Sequence, residues 1–399
     1  MSVVQNDSEV PGLTLKEINV GKSQPAPSGQ QAIFKWLKRL LVSDYFILMF
    51  TVFAFVVASQ FYGRLSNPVN IVNQLSNMWP LFAIAIGQTF VLIVAGIDLS
   101  QGSIMAITSV VGAMIMTGEL NPSMFDKLPL WGILIDENGG LLANSNLAMP
   151  MAVLAMLLVG VFIGFLNGLL ITRFKITPFM VTLVSLIFFS YFALWLTQSR
   201  NISGLPDAFI RLGDDGQLVS IYIGQKVDSE IARRDIPTLI TSATVIALSL
   251  GLVASYILNR TVFGRRMFAI GTNDRAARIS GVPTNRIIIL VYMFSGFCAA
   301  VASILYTARL EIGRPTLGEG SLLLDIIGAC VIGGTSLFGG KGSIKGTFFG
   351  VVFFTLLLNV LNAARLSPFV IDAVKGTVIL AAALLDITRT RLSNSERAS

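Results

Sequence analysis

The sequence has no histidine among its 399 residues, only two cysteines, and few charged side chains. Without an imidazole the chain lacks the usual ligands of a zinc site and the usual general base of hydrolases. Cys298 and Cys330 both lie in apolar runs, which is typical of small core residues and not of a disulfide framework. Charged residues make up 13% of the chain, against about 25% in a typical soluble domain. These absences exclude a zinc hydrolase, a histidine-based acid–base enzyme and a disulfide-stapled secreted domain.

Apolar residues, by contrast, make up 54% of the chain, and the mean hydropathy is +0.74. A helix needs about 20 mostly apolar residues to cross a bilayer, with a range of about 17 to 25. We therefore predict an all-α integral membrane protein with about ten transmembrane helices, some of them short or broken. The candidate runs are 44–62, 78–96, 148–172, 178–197, 237–258, 287–309 and 370–387, together with three short, glycine-bounded runs at 102–117, 322–337 and 344–361.

The excess of basic side chains, which gives a formal charge of +7, follows the predicted loops. With both termini in the cytoplasm, cytoplasmic segments carry 18 Lys and Arg residues and external segments carry 10. Cytoplasmic loops of membrane proteins collect basic residues, so this asymmetry indicates an N-in, C-in topology and no nucleic-acid partner. The predicted regions are a cytoplasmic tail with an interfacial helix (1–43), a transmembrane domain (44–387) with external loops 118–147 and 198–236, and a cytoplasmic tail (388–399).

The cytoplasmic loop 259–286 contains six arginines and no long apolar run. Gly271 and Gly281 bracket a predicted helix of one to two turns, with Asn273 or Asp274 as its N-cap and Gly281 at its end. A short helix held between two spans has a suitable shape for docking into a cleft of a cytosolic partner. The alternative is an arginine-rich loop that only obeys the topology rule.

Two pairs of segments indicate an internal repeat, which is common in transporters. GIDLSQGSI (96–104) is similar to GTSLFGGKGSI (334–344), and each ends where an apolar helix is predicted to begin. LNGLLITRFKITPF (166–179) is similar to LNVLNAARLSPF (358–369). In the predicted topology the second pair falls on opposite sides of the membrane, so either one copy is inverted or one short run does not span.

Asp98 and Ser100 lie in a glycine-flanked break between two apolar runs. An ionisable residue within a membrane segment is a candidate functional group. The local alternative is capping, because either side chain can accept from free N–H groups of the helix that begins near Gly102. Other intramembrane polar residues either line a translocation pathway or only form interhelical hydrogen bonds. These further candidates are Gln88, Thr89, Asn167, Asp325, Asn359 and Asn362.

Several long blocks of the sequence resemble one known family. The blocks are VAGIDLSQGSIMA, LNGLLITRFKITPFMVTL, AIGTNDRAARISGVPTNR, TARLEIGRPTLGEGSLLLDIIGACVIGGTSLFGGKGSIKGTFFG and SPFVIDAVKGTVILAAALLD. In this order and spacing, over about 68–386, they are similar to the membrane permease of ABC importers of the ribose, xylose and galactose class. The resemblance implies a pathway formed in a bacterial inner membrane by two permease subunits, identical or closely paralogous. It also implies two partners, a cytoplasmic ABC ATPase and a periplasmic sugar-binding protein.

The resemblance further implies that the chain is no enzyme and binds no cofactor, since ATP and Mg are used by the partner ATPase. The cargo would be a monosaccharide, namely a pentose, a hexose or a related polyol. The helix in the loop 259–286 resembles the coupling helix that sits in a groove of the ATPase. Ala277→Arg is expected to abolish this docking, because a bulky charge cannot enter a groove shaped for a methyl group. The implied coupling residues are Gly271, Asn273, Asp274, Ala276, Ala277, Arg278, Gly281 and Arg275, the last of which departs from the acidic residue usual in the family.

Two other classes of function stay open on the residues alone. A secondary transporter coupled to an ion gradient would need several membrane carboxylates, and the spans contain mainly Asp98 and Asp325. A channel or scaffold would need neither ATP nor a partner. The segment 333–343 does not predict a nucleotide-binding loop, because Lys341 is followed by Gly342 where a phosphate loop has Ser or Thr.

Overall fold

Helix dominates the fold, as the apolar runs predict. The computed structural model contains, within the residues it describes, only two short antiparallel strand pairs besides the helices. The predicted interfacial helix at 31–42 and most of 214–237 lie outside those residues. The structure describes residues 45–118, 120, 122–143, 145–213, 217–220 and 238–398.

Fourteen α-helices form within the described ranges. They are α1 (Phe46–Phe61), α2 (Pro68–Ile93), α3 (Gln101–Met116), α4 (Pro122–Phe125), α5 (Ala148–Phe174), α6 (Pro178–Thr197), α7 (Asp207–Ile210), α8 (Ser242–Arg260), α9 (Val262–Thr272), α10 (Asp274–Ile279), α11 (Thr284–Leu310), α12 (Leu322–Ile332), α13 (Ile344–Ala363) and α14 (Pro368–Ala398). A 3-10 helix (Gly63–Ser66) follows α1. Strand β1 (Ile135–Asp136) pairs with β2 (Gly139–Gly140), and β3 (Gln217–Ser220) pairs with β4 (Thr238–Thr241).

Each of the ten predicted apolar runs contains a helix, but the helices differ in length. Among the described residues, six helices are long and apolar enough to cross a membrane, namely α2, α5, α6, α8, α11 and α13. Helices α1, α3 and α12 are apolar but shorter. The 11 residues of α12 rise about 16 Å, roughly half of a hydrocarbon core of about 30 Å. The count of ten spans and the N-in, C-in orientation therefore stay predictions.

Four predicted helix boundaries were wrong by five residues or more. Helix α8 begins at Ser242, five residues late, because strand β4 precedes it, and α14 continues to Ala398, eleven residues past the predicted end. Helix α2 begins ten residues before the predicted start, because Asn67 caps it by accepting from the N–H of Val69 at 2.9 Å. Pro68 occupies the first helical position, where its missing N–H costs nothing. Helix α12 ends at Ile332, five residues early, because Gly334 takes a left-handed conformation with φ +88°.

Helices α5 and α11 form the most extensive contact between two of the described helices. A Cβ placed on Gly296 of α11 would lie 2.1 Å from the carbonyl oxygen of Gly160 on α5, so only glycine permits this approach. Small residues at such contacts let two membrane helices pack backbone to backbone. Helix α11 also packs against α2 and α3. It therefore supports both helices that flank the first glycine break, which is the segment 94–100 between α2 and α3. The second glycine break is the segment 333–343 between α12 and α13.

The second pair of repeated segments has the same local structure in both copies. Lys175 follows α5 in the left-handed conformation with φ 54°, and Pro178 then begins α6. Arg365 follows α13 with φ 56°, and Pro368 then begins α14. The two apolar helices α3 and α5 lie between the first glycine break and its turn, whereas α13 alone lies between the second break and its turn. This difference in chain path accounts for the opposite sides in the predicted topology.

The predicted external loop 118–147 is folded against the end of α3 and does not extend away from the helices. It contains α4 and the β1–β2 hairpin, and it returns to the end of α3. The N–H of Gly140 donates to the carbonyl of Thr117 at 2.9 Å, and the N–H of Leu141 donates to that of Met114 at 3.1 Å. These backbone bonds make the segment a cap on α3.

The segment 311–321 runs beside α3 and carries the chain into the bundle. The N–H of Arg314 donates to Ser109 Oγ at 3.0 Å, in the middle of α3. A Cβ placed on Gly318 would lie 2.6 Å from the carbonyl oxygen of Gly102, in the first turn of α3. Helix α12 therefore begins a few residues after the chain has passed the first turn of α3.

Candidate functional site

Asp98 is the centre of a buried polar network in the break between α2 and α3. Its carboxylate is fully buried. Oδ1 accepts from the N–H of Ser100 at 3.0 Å and from Ser100 Oγ at 2.6 Å, and Oδ2 accepts from Ser295 Oγ on α11 at 2.7 Å. Gln101 Nε2 in turn donates to Ser295 Oγ at 2.9 Å. No Lys or Arg in the described part of the chain pairs with Asp98, so hydrogen bonds alone compensate its burial.

The network continues from Ser100 to α5 and α6. Asn167 Nδ2 on α5 donates to Ser100 Oγ at 2.8 Å, and Asn167 Oδ1 accepts from Ser185 Oγ on α6. Ser103 Oγ donates to the carbonyl of Ser100 at 2.8 Å. All four side chains are buried. In this conformation Asp98, Ser100 and Asn167 join helices to one another and do not line an open passage.

The predicted capping of α3 is only partly correct. Ser100 occupies the N-cap position, but its side chain accepts no hydrogen bond from the first turn of α3. Asp98 accepts from the N–H of Ser100 itself, one residue before the helix. In the second glycine break Ser343 does cap α13, because its Oγ accepts from the N–H of Gly346 at 3.0 Å. The two similar segments thus begin their helices differently.

Asp325 forms a buried ion pair that links α12 to α14. Lys375 Nζ lies 2.9 Å from Asp325 Oδ1 and 3.0 Å from Oδ2, and it donates to Ser321 Oγ at 2.9 Å. Asp372, one turn earlier on α14 and half-exposed, lies 3.4 Å from the same nitrogen. Lys375 is only 5% exposed. Sequence reasoning missed this lysine, although a Lys within an apolar run is itself a signal that a carboxylate partner is near.

Thr89 and Gln88 are neighbours on α2 with opposite surroundings. Thr89 Oγ1 lies 2.6 Å from Thr347 Oγ1 on α13 and donates to the carbonyl of Ala85 at 2.8 Å. Gln88 is fully buried, and its amide nitrogen and oxygen have no hydrogen-bond partner in the described structure. An unpaired buried amide costs about 1–3 kcal/mol, so Gln88 is the candidate most in need of another partner.

Asn359 and Asn362 lie three positions apart on α13 but have different surroundings. Asn359 is buried on α13, and its Oδ1 accepts from Asn70 Nδ2 on α2 at 3.3 Å. Asn362 is exposed near the end of the same helix. Asn359 therefore joins two helices, as the interhelical alternative expects.

The loop 259–286 contains two helices, α9 and α10, where the sequence predicted one. The predicted short helix is α10, and Asn273 caps it by accepting from the N–H of Ala276 at 3.0 Å. Gly281 follows with φ +80°, as expected of a residue that ends a helix. The predicted capping by Asn273 is thus confirmed, and helix α9 was missed.

The charged residues of α10 lie on its surface. Arg278 and Asp274 form an exposed salt bridge at 3.1 Å, four residues apart on one face. Arg275 is exposed as well. Exposed pairs of this kind contribute little to stability, so these side chains are available to a partner.

Ala277 faces the protein's own interior and not an outside groove. It is 5% exposed, whereas Ala276 is exposed and Ile279 is 81% exposed. The expectation that Ala277 enters a partner's groove was therefore wrong, because the turn of α10 directs this methyl group inward. Ile279 is an apolar side chain on the outer face that sequence reasoning missed.

The end of α9 touches both glycine breaks at one point. The N–H of Gly340 donates to the carbonyl of Ile93 at 2.9 Å. A Cβ placed on Gly271 would lie 1.8 Å from the same carbonyl oxygen and 2.5 Å from the nitrogen of Gly340. One on Gly339 would lie 2.8 Å from Ala95 Cβ. A displacement of α9 would therefore press on both breaks.

Comparison with known families and proteins agrees with the resemblance seen in the sequence. Residues 70–383 match the family described as "Branched-chain amino acid transport system / permease component". This match covers far more than half of the chain. No solved structure matches the chain.

Curated relatives are similar over most of their own length. The chain is 34% identical to the ribose import permease protein RbsC of Bacillus subtilis, over 80% of this chain and 85% of the relative. It is 28% identical to the galactose/methyl galactoside import permease protein MglC of Haemophilus influenzae, over 86% and 92%. It is 29% identical to the autoinducer 2 import system permease protein LsrC of Salmonella choleraesuis, over 77% and 74%.

Proposed function

Because this chain belongs to the family of branched-chain amino acid transport system permease components, we propose that it is the permease subunit of an ABC importer. It forms the translocation pathway for a monosaccharide across a bacterial inner membrane and is not an enzyme. The relatives named for ribose and galactose import support a sugar cargo. They do not support the alternative of an ion-coupled secondary transporter. The observation that carries the proposal is the 34% identity to a ribose import permease over four-fifths of the chain.

The proposed topology has ten spans with both termini in the cytoplasm. The helix found in each of the ten apolar runs and the excess of basic residues in alternate loops support it. In this arrangement 1–43 and 388–399 are cytoplasmic tails, 44–387 is the membrane domain, and 118–147 and 198–236 face outward. The loop 259–286 then lies on the cytoplasmic side.

The proposed partners follow from the family. A cytoplasmic ABC ATPase would bind ATP and Mg and supply the work, and a periplasmic sugar-binding protein would deliver the cargo. A second permease subunit, either a copy of this chain or a close paralogue, would complete the pathway. The lipid bilayer covers the exposed apolar faces of the long helices.

The coupling segment acts through α10 and α9. Helix α10 would dock on the ATPase through its outer face, which carries Ala276, Arg275 and the exposed Ile279. Helix α9 would carry the displacement to the two glycine breaks, because Gly271 leaves no space between them. Asn273, Asp274, Arg278 and Gly281 hold the shape of this short helix, and Ala277 anchors it to the rest of the protein.

The pathway residues divide into two proposed groups. Asp98, Ser100, Asn167, Thr89 and Asn359 fix the helices on either side of a closed gate, since each already has a partner. Gln88, which is buried without a partner, would turn to the substrate or to water when the gate opens. Asn362 is proposed to lie at one mouth of the pathway, where it is exposed.

The docking role is tested with Ile279→Asp in the permease co-expressed with its ATPase. We expect a loss of about tenfold in ATPase affinity, equivalent to about 1.4 kcal/mol, because a charge replaces an apolar contact. Ile133→Asp is the matched control, since Ile133 is 72% exposed but lies in the segment 118–147. Retention of native co-purification and native stimulated ATP hydrolysis by Ile279→Asp would show that α10 is not the docking element.

A further inference from the structure

Helix α12 has two unequal attachments to the rest of the bundle. Its later part packs closely on α13, where a Cβ on Gly350 would lie 1.9 Å from the carbonyl oxygen of Ala329. Its first turn is attached to α14 through the ion pair of Asp325 with Lys375 and the bond of that lysine to Ser321. The middle of α12 also packs on α14, since a Cβ on Gly328 would lie 2.8 Å from Ile379 Cγ1. Only the first turn of α12 can therefore separate from α14 while the rest of the helix stays packed.

Lys375 has two carboxylates within reach, and they lie on different helices. Asp325 on α12 is buried and receives the lysine on both oxygens, at 2.9 and 3.0 Å. Asp372 lies on the lysine's own helix, 3.4 Å from Nζ, and is half-exposed. A buried charge that loses its only partner is strongly unfavourable. Because Asp372 moves together with Lys375, the lysine keeps a partner when α12 moves away. Asp325 loses its ionic partner and then needs hydrogen-bond donors from water or from cargo hydroxyls.

We propose that Lys375 is a positioning residue that latches the start of α12 to α14, and that Asp372 receives the lysine when the latch opens. Opening would free Asp325 and Ser321, two groups that can hydrogen-bond to hydroxyls, beside the segment that reaches the first glycine break. The latch thus holds the gate of the importer in its closed state. The role of the latch in gating rests on the proposed transport function, whereas the ion pair and its opening do not.

The latch is tested by spin-label distances in the purified full-length chain, which need no transport assay. Leu324→Cys on α12 and Leu380→Cys on α14 provide exposed labelling sites, while the native Cys298 and Cys330 are fully buried. In this labelled background we expect Asp325→Asn to increase the population with a longer distance between the two labels. The expected increase is about fivefold or more, since typical coupling between conformational states begins at about fivefold. Thr377→Val is the matched control, because Thr377 bonds only to the carbonyl of Ala373 on its own helix.

A second variant keeps the test decisive if Asp325→Asn alone does not fold. Asp325→Asn combined with Lys375→Met removes both buried charges, so neither is left without a partner. The ion pair that forms the latch is nevertheless absent. The longer-distance population is expected to rise in this variant as well. A distance distribution equal to that of the unsubstituted chain would overturn the proposal.

Asp372→Asn distinguishes a latch from a merely structural ion pair. This change leaves the closed pair of Asp325 and Lys375 intact, so thermal unfolding stays unchanged. It removes the partner of the open state, so the uptake of D-ribose or D-galactose by the reconstituted importer should fall by about fivefold. Native uptake by Asp372→Asn would contradict the role of this residue. A complete absence of uptake with the native chain would count against the proposed function, while the distance measurement still decides the latch.

Discussion

Asp98 and Asp325 are both buried aspartates at the start of short helices, but the protein stabilises them in opposite ways. Asp98 accepts hydrogen bonds from a backbone N–H and from the hydroxyls of Ser100 and Ser295. Asp325 accepts both of its short contacts from the ammonium group of Lys375. The first region is therefore held by three hydrogen bonds from uncharged donors and the second by an ion pair.

The comparison shows how the two regions can differ in mechanical behaviour. Breaking one neutral hydrogen bond of Asp98 leaves the others in place, and the bonds radiate to α3, α5 and α11. Breaking the contact of Asp325 with Lys375 removes, in a single step, the ion pair that joins the first turn of α12 to α14. The Asp98 region is thus suited to hold helices together, and the Asp325 region is suited to switch.

The largest expected effect that separates the two regions is that of Lys375→Met. Removing one partner of a buried ion pair costs about 3–5 kcal/mol, because the remaining charge has no compensation. We expect this loss in the free energy of unfolding, measured by titration with a denaturing detergent in mixed micelles. The additional change Asp325→Asn should recover most of it. A double variant as unstable as the single one would mean that the lysine contributes through packing.

The next effect, which overlaps the first in size, is expected at Asp98, and it should depend on hydrogen-bond acceptors more than on charge. Asp98→Ala removes both acceptors and leaves the N–H of Ser100 and the hydroxyl of Ser295 unpaired, which costs about 1–3 kcal/mol for each buried group. Asp98→Asn keeps one acceptor and can donate to Ser295 Oγ, so it should be clearly milder in the same titration. Equal losses for the two variants would indicate that the charge of Asp98 is essential.

The smallest expected effect compares two serine hydroxyls. Ser295→Ala removes the hydrogen bond to Asp98 Oδ2, whereas Ser321→Ala leaves Lys375 with both of its carboxylates. Interhelical hydrogen bonds in membrane proteins contribute about 0.6 kcal/mol on average and at most about 1.7. Both changes should fall in this range, with the larger loss for Ser295→Ala. A larger loss for Ser321→Ala than for Ser295→Ala would contradict this difference between the Asp98 and Asp325 regions.

Much of the fold followed from hydropathy alone. All ten apolar runs contain helices, since a run of apolar residues in a membrane can satisfy its backbone only as a helix. The errors arose where polar residues continue a helix beyond its apolar part, as in α2, and where glycine ends a helix within its apolar run, as in α12. Helix α2 begins at Pro68 because Asn67 caps it, and no apolar pattern announces that start.

The candidate site was predictable in its residues but not in its contacts. The short helix with Asn273 as its cap was found from local signals, because a cap and its helix lie within three positions. The inward direction of Ala277 and the exposure of Ile279 were not found, since both depend on how α10 lies against the rest of the chain. Helix α9 was missed because its arginines interrupt the pattern of apolar residues from which a helix is predicted.

The sequence by itself determined the class of protein, its helices and its family, because hydropathy, caps and family blocks are properties of neighbouring residues. Only the tertiary structure decided which polar groups meet. Asp98 and Ser295 are 197 positions apart, and Asp325 and Lys375 are 50 positions apart. Such pairs are chosen by the packing of whole helices, in which glycines set how closely two backbones approach. The sequence indicates that a lysine such as Lys375 needs a carboxylate partner, but it does not say which carboxylate the packing brings to it.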